Sequence, residues 1–170
     1  VPLDFDPIAE ARRNWDAHGW PGGDAMMAAT SIARAQQILI ARVDEALAPF
    51  GLTFSRFEAL ALLFFSRRGA LPMGKIGARL QVHPTSVTNT IDRLERAGLV
   101  ERVAAEGDRR SVLARITDAG RELVPRAAEA LAGVDFGLGG LADGDLGRIH
   151  DAVLVLRREA GDFTPAAGGT

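Results

Sequence analysis

Apolar positions recur at intervals of three and four along most of the chain and alternate in two short runs, a pattern that predicts helices flanking one small hairpin. Ile32, Ala35, Leu39, Val43, Ala46 and Phe50 form a narrow stripe, predicting a long helix over 25–48 with Asp24 as its cap. A stripe that narrow calls for a partner helix. Ser55-Arg56-Phe57-Glu58 has the spacing of a capping box, opening a helix that buries Phe57, Leu60, Ala61 and Phe64 and stops at Gly69. A short helix over 73–80 turns Ile76 and Leu80 inward, and the turn at 81–83 leads to Pro84, suited to the first position of the next helix. That helix runs to Ala97 and ends at Gly98. Strands over 99–104 and 111–116 flank a turn at 105–110. Thr117 caps a further helix, which Pro125 is expected to kink, and Asp143 opens a last one with Leu146, Ile149, Val153 and Leu156 on one side.

The order of helix, helix, helix, helix, hairpin, helix, helix predicts a mainly α protein: a winged helix-turn-helix with a small β-hairpin wing, joined to a helical dimerisation region. Residues 1–23, punctuated by Pro2, Pro7, Pro21 and several glycines around a brief helical run at 8–17, read as an N-terminal extension. Residues 24–54 and 117–160 form the expected dimerisation region, since their stripes would otherwise expose apolar surface. Residues 55–116 are the winged helix-turn-helix. The segment from Gly133 to Gly140 reads as a loose loop, and 161–170, rich in Gly, Ala, Thr and Pro, as a disordered tail.

Composition narrows the function classes. At 170 residues with 47% hydrophobic and 25% charged content, the chain reads as a globular protein. No apolar run approaches the roughly 20 residues a bilayer span needs. The N-terminus has no basic-then-apolar signal pattern, so a cytoplasmic location is expected and no membrane partner. The absence of cysteine excludes disulfides, thiolate metal sites and thiol switches. His18, His83 and His150 lie in unrelated elements, so no metal site is expected. Gly137–Ala142 formally fits G-x-G-x-x-A but lacks the preceding strand a dinucleotide fingerprint requires. No catalytic constellation is evident and no cofactor is implied. The net charge of −2 argues mildly against nucleic acid, but between Lys75 and Arg121 nine Lys and Arg face six Asp and Glu, a locally basic module.

That module carries the candidate chemistry. On the helix from Pro84, Val87, Ile91 and Leu94 share the inward side, leaving Thr85, Asn89, Asp92, Arg93 and Arg96 on or near the opposite side, with Ser86 and Thr88 at its margins. An asparagine can pair with adenine, hydroxyls can meet bases or phosphates, and Arg93 can reach phosphate or guanine, so Thr85, Ser86, Thr88, Asn89 and Arg93 are candidate major-groove contacts. A solvated polar helix face would look similar. The turn Gly107-Asp108-Arg109-Arg110 alters the balance, because an arginine at a wing tip gains from the focused negative potential of a minor groove.

Val87-Thr88, Ile91-Asp92-Arg93-Leu94-Glu95, Gly98-Leu99-Val100-Glu101-Arg102, Asp108-Arg109-Arg110, and Ile116-Thr117 with Gly120 resemble the MarR family of bacterial transcription regulators over about 40 residues. The resemblance implies a homodimer on a pseudo-palindromic double-stranded DNA operator, usually a repressor, often released by a small anionic or phenolic effector. It implies that Asp108 orients the wing and that Arg110, with Arg109, enters the minor groove. Urate-responsive members resemble this chain at Trp15 and Glu58, but they carry an arginine near Thr90 that is absent here. Trp15 then reads as an anchor for the extension and Glu58 as the capping-box acid. An effector pocket is expected between the dimer helices and the winged domain, without residues that name its ligand. The rival reading is a winged-helix protein-interaction module that does not bind DNA.

Overall fold

The computed structural model describes residues 2–105 and 108–164, and for 108–111 and 143 the backbone alone. Seven helices and three strands are assigned in these residues: α1 (Pro7–Ala17), α2 (Gly23–Leu47), α3 (Phe54–Phe65), β1 (Ala70–Pro72), α4 (Met73–Leu80), α5 (Pro84–Arg96), β2 (Val100–Ala105), β3 (Asp108–Ile116), α6 (Asp118–Ala132) and α7 (Asp143–Glu159). The fold is mainly helical with a small antiparallel sheet, as expected, and the chain divides into two compact units at Gly137/Leu138.

One core runs through the first unit. Val43 and Leu47 from α2, Leu60 and Leu63 from α3, Ile76 from α4, Ile91 and Leu94 from α5, and Val124, Ala127 and Leu131 from α6 are all buried. Each comes from the face that the apolar spacing selects, and removing such side chains from water is the main stabilising term. The first two-thirds of α2 contribute little: of its predicted stripe, Leu39, Val43, Ala46 and Phe50 pack on or in the core, whereas Ile32 is 50% exposed.

The sheet corrects the hairpin reading in two ways. Its order is β1-β3-β2, so a third strand at 70–72 joins the expected pair, with Ala70 opposite Arg115 and Pro72 opposite Leu113. And β3 begins at Asp108, so the backbone of Asp108, Arg109 and Arg110 belongs to a strand and not to the turn. Between the pairings Ala104↔Val112 and Ala105↔Asp108, β2 advances one residue while β3 advances four, a bulge that falls on the arginine pair. Of the predicted turn, Glu106 and Gly107 lie outside the described residues.

Two helix starts also differ from expectation. Helix α3 begins at Phe54 after Thr53, whose side chain makes no cap bond; the Phe54 N–H donates instead to Asp44 Oδ1 at 2.7 Å. Ser55 and Glu58 therefore lie inside the first turns and form no capping box. Helix α2 begins at Gly23, after Gly22 in the left-handed region, and Asp24 does not cap it: its carboxylate binds Arg12 of α1. Arg12 also bonds Asp16 at 2.8 Å. Trp15, half-buried, donates its indole N–H to Pro21 O at 2.9 Å and packs edge-to-face on Trp20. The extension is thus a helix folded against α2, with Trp15 as its anchor.

The loop after α6 is more ordered than its glycines suggest. Asp135, Phe136 and Gly137 make a tight turn with all three residues in the left-handed region, and Arg42 donates to Gly137 O at 2.9 Å. Gly137 is buried at φ +79°, and a Cβ there would approach Leu39 O to 3.1 Å. Thr117 caps α6 as expected, accepting from Gly120 N–H at 3.1 Å, and the helix continues past Pro125. In the second unit α7 starts at Asp143 as predicted, and exposes Ile149, Val153, Val155 and Leu156. Residues 161–164 turn back on it: Asp162 pairs with Arg157 at 2.6 Å and the Arg157 guanidinium lies over the Phe163 ring. That part of the predicted disordered tail is structured, and 165–170 lie outside the described residues.

Candidate nucleic-acid interface

Helix α5 is set by its sequence at both ends. His83 is the N-cap, its Nδ1 accepting from Thr85 N–H at 3.2 Å, and Pro84 occupies the first turn where no donor is needed. At the other end Gly98 adopts φ +70° and Leu99 N–H bonds back to Leu94 O at 3.0 Å, turning the chain into β2. Val87, Ile91 and Leu94 are buried, which fixes the rotation of the helix about its axis.

That rotation leaves Thr85, Ser86, Thr88, Asn89 and Arg93 exposed. Thr85, Asn89 and Arg93, spaced four apart, share one outward stripe. Thr88 donates its hydroxyl to Pro84 O at 3.1 Å, so its free features are a methyl and an acceptor. Ser86 stands at the lip of a cavity on the flank of the helix. The side chains of Asp108, Arg109 and Arg110 lie outside the described residues; their backbone continues the wing from the same base.

Asp92 and Arg96 were expected near the same outward side. Asp92 is drawn away: Arg102, the third residue of β2, binds it and Glu95 together, and donates its own backbone N–H to Glu95 Oε1 at 3.1 Å. Burial of the guanidinium works against its charge, but the two carboxylates outweigh this and raise its pKa above the ordinary arginine value. Sequence reasoning counted Arg102 as part of a basic module. Its alignment with Asp92 and Glu95, which lie three apart on one helix face, is the signal that pointed to an internal pair.

The base of the wing has further ties. Thr117 donates its hydroxyl to Gly98 O at 2.8 Å, and Glu101 pairs with Arg115 across the strands at 3.6 Å. Two cations that sequence reading did not single out, Lys75 and Arg79, are exposed one turn apart on α4.

A cavity of about 300 Å³ lies between α3, α4 and α5. Ser55, Glu58, Ser86 and Thr90 supply its polar rim, and Ala59, Ile76, Leu80, Val82 and Val87 its apolar lining. Partial desolvation raises the Glu58 carboxyl above the usual range, although the residue is exposed. The cavity lies inside the winged domain and not between it and the dimer helices. Among the described residues no group of His, Asp or Glu is placed to hold a metal ion, and no single helix is long and apolar enough to cross a membrane.

Comparison with known proteins bears on this geometry. Residues 50–111 match the model of the MarR family. The transcriptional regulator PecS of Dickeya dadantii is 32% identical over 109 residues, covering 62% of this chain and 64% of PecS, so the chain spans a little under two-thirds of that relative. The crystal structure of Sco5413, a MarR family transcriptional regulator from Streptomyces coelicolor, is 54% identical and superposes with a TM-score of 0.77, covering 84% of this chain and 99% of that one. Sco3205 from the same organism, solved in complex with DNA, is 21% identical and shares the fold with a TM-score of 0.73 over 89% of this chain and 95% of its own.

Proposed function

Because the chain belongs to the MarR family of transcription regulators, and so acts as a regulator and not as an enzyme, we propose that it is a homodimeric repressor of a pseudo-palindromic operator. Helix α5 reads the major groove through Thr85, Asn89 and Arg93, with Ser86 and Thr88 beside them. Arg109 and Arg110 enter the adjacent minor groove, with Asp108 orienting them, and Lys75 and Arg79 contact phosphates where α4 crosses the backbone. The observation that carries this reading is the outward stripe of α5, polar and unobstructed, on a helix whose other side is locked into the core. Two protomers would bring two such helices into successive major grooves, about one helical turn apart. The exposed apolar positions of α2 and α7 supply surface for the dimer.

The test is a salt titration of binding to the chain's own promoter DNA, followed by fluorescence anisotropy. Phosphate contacts release counterions, so affinity should fall steeply between low and moderate salt. A flat response would favour the protein-interaction reading.

The cavity beside α5 is the effector site in this proposal. Its charged group is a carboxylate whose ionisation is already disfavoured, so it suits an uncharged phenolic or amide-bearing ring and opposes an anion. Thr90, on the same lining, adds a hydroxyl and no cation for an anion. Release of operator DNA by neutral phenols, and its persistence with the matching benzoates, is the expected outcome. Release by the anions alone would remove Glu58 from the site.

A further inference from the structure

We infer that Arg102 is the positioning residue of the wing: by tying β2 to the last turns of α5, it sets where the wing tip stands relative to the reading helix. The inference rests on the reading that α5 and the wing grip one duplex together. Three bonds converge on this residue, one guanidinium nitrogen to Asp92, another to Glu95, and the backbone N–H to the second oxygen of Glu95. A backbone donor and one guanidinium nitrogen on the Glu95 carboxylate, with the other nitrogen on Asp92, fix both the position and the direction of the strand. The Arg102 side chain is 27% exposed and those of Asp92 and Glu95 34% and 38%, so the pairs are partly shielded from solvent.

The location gives the clamp its consequence. Thr117 holds the wing at its root, through Gly98. β1 pairs with β3 as far as Pro72 opposite Leu113, and Arg102, opposite Ala114, lies on β2 at the other edge of the sheet, two rungs out from Val100 opposite Ile116. The bulge that interrupts the register comes further out still, at Ala104/Ala105. Beyond Leu113 the wing is two-stranded, and with β2 tied only at its root that arm would be free to twist, since bulged ribbons twist strongly. Arg102 removes that freedom on the side facing α5. A groove contact made by the tip is worth its full energy only if the arm is already aimed, because ordering a loose arm on binding costs entropy. Arg102 would therefore raise affinity without touching DNA.

The clamp also offsets part of the negative charge of Asp92, on the outward half of α5, and Glu95. Losing Arg102 alone would leave two carboxylates facing phosphate and weaken binding for an unrelated reason. The informative quantity is therefore the factor by which Arg110→Ala weakens operator binding, measured in three backgrounds: the parent chain, Arg102→Met, and the uncharged Asp92→Asn/Glu95→Gln/Arg102→Met. In the parent, loss of a groove-bound arginine should cost about tenfold. In both clamp-free backgrounds the factor should shrink to about twofold or less. Hydroxyl-radical protection of the minor groove should fade there while protection of guanine N7 in the major groove persists. A tenfold factor in all three backgrounds would overturn the inference. No factor in the parent would instead show that the wing takes no part in the grip, and it would then be the groove reading that fails. Thermal unfolding of each variant separates both outcomes from loss of the fold, which a merely structural salt bridge would predict.

Discussion

The carboxylate of Asp44, near the end of α2, accepts the backbone N–H of Phe54 at 2.7 Å and so caps the first helix of the winged half from the helix before it. An unmet amide at a helix start is costly, and a side-chain acceptor relieves it. Asp44→Ala should lower stability by about 0.5–2 kcal/mol, and Asp44→Asn by clearly less, because an amide oxygen still accepts. Ser55→Ala should be close to neutral, since Ser55 caps nothing. Urea denaturation of the three variants checks this, and a larger loss at Ser55 than at Asp44 would reinstate the capping box.

Gly120 is required for packing. A Cβ there would stand 2.4 Å from Leu99 O and 2.7 Å from Ile116 Cγ1, where the start of α6 presses on the root of the wing. Neither a backbone carbonyl nor a buried isoleucine can yield freely, so Gly120→Ala should destabilise by about 1–3 kcal/mol despite alanine's better helix propensity. A stabilised Gly120→Ala variant would mean that the helix start can move away from Leu99.

Glu58 offers a pH-dependent test. Its carboxyl is raised by desolvation, so the folded state holds the proton more tightly than the unfolded chain does. The favourable contribution is complete below the ordinary glutamate value and is lost as pH rises through the folded one. Glu58→Gln should therefore be more stable than the parent at neutral pH, with the difference closing in acid. A difference that instead widened toward acid would mean that an unseen cation favours the charged form.

Much of this was legible because it is local. Val87, Ile91 and Leu94 state the rotation of α5 by their spacing alone, and the outward stripe follows from geometry. Thr117, three residues before Gly120, marks the start of α6 just as plainly. What sequence reading missed depends on partners distant in the chain. Strand β1 is three residues ending in proline, with no alternation to see, and exists because β3 offers it an edge. The true cap of α3 comes from ten residues upstream, while Ser55 and Glu58 imitate a cap by spacing. Arg102 looked like one more cation of a basic module until the fold set it against Asp92 and Glu95. Asp108-Arg109-Arg110 reads as turn by composition, yet the register carries its backbone into β3.

Base recognition from α5 and phosphate contact from α4 should separate. Asn89 has the side chain to read a base edge, so Asn89→Ala should cost about 1–3 kcal/mol on the operator and relax preference at one position. If Lys75 meets phosphate, Lys75→Ala should weaken binding evenly across sequences and reduce the salt slope by about one. Binding to a library of operator variants distinguishes the two patterns. Equal, sequence-independent losses for both would place Asn89 on the backbone.

The dimer can be tested on residues that the single chain leaves unused. Ile32 is 50% exposed and Ile38 39% exposed on α2, away from the buried Val43 and Leu47, so a charge at either need not disturb the core. An aspartate in an apolar interface is left without a partner and opposes association. Ile32→Asp/Ile38→Asp should therefore fold normally and sediment as a monomer at micromolar concentration, where the parent sediments as a dimer. Linking two half-site contacts in one particle multiplies affinity, so the monomer should bind the full operator on the order of a hundredfold more weakly and a single half-site about as well as the parent does. If the variant stayed dimeric, the interface would have to be built elsewhere; if it became monomeric with operator affinity intact, the spacing of two reading helices would not be what selects the site.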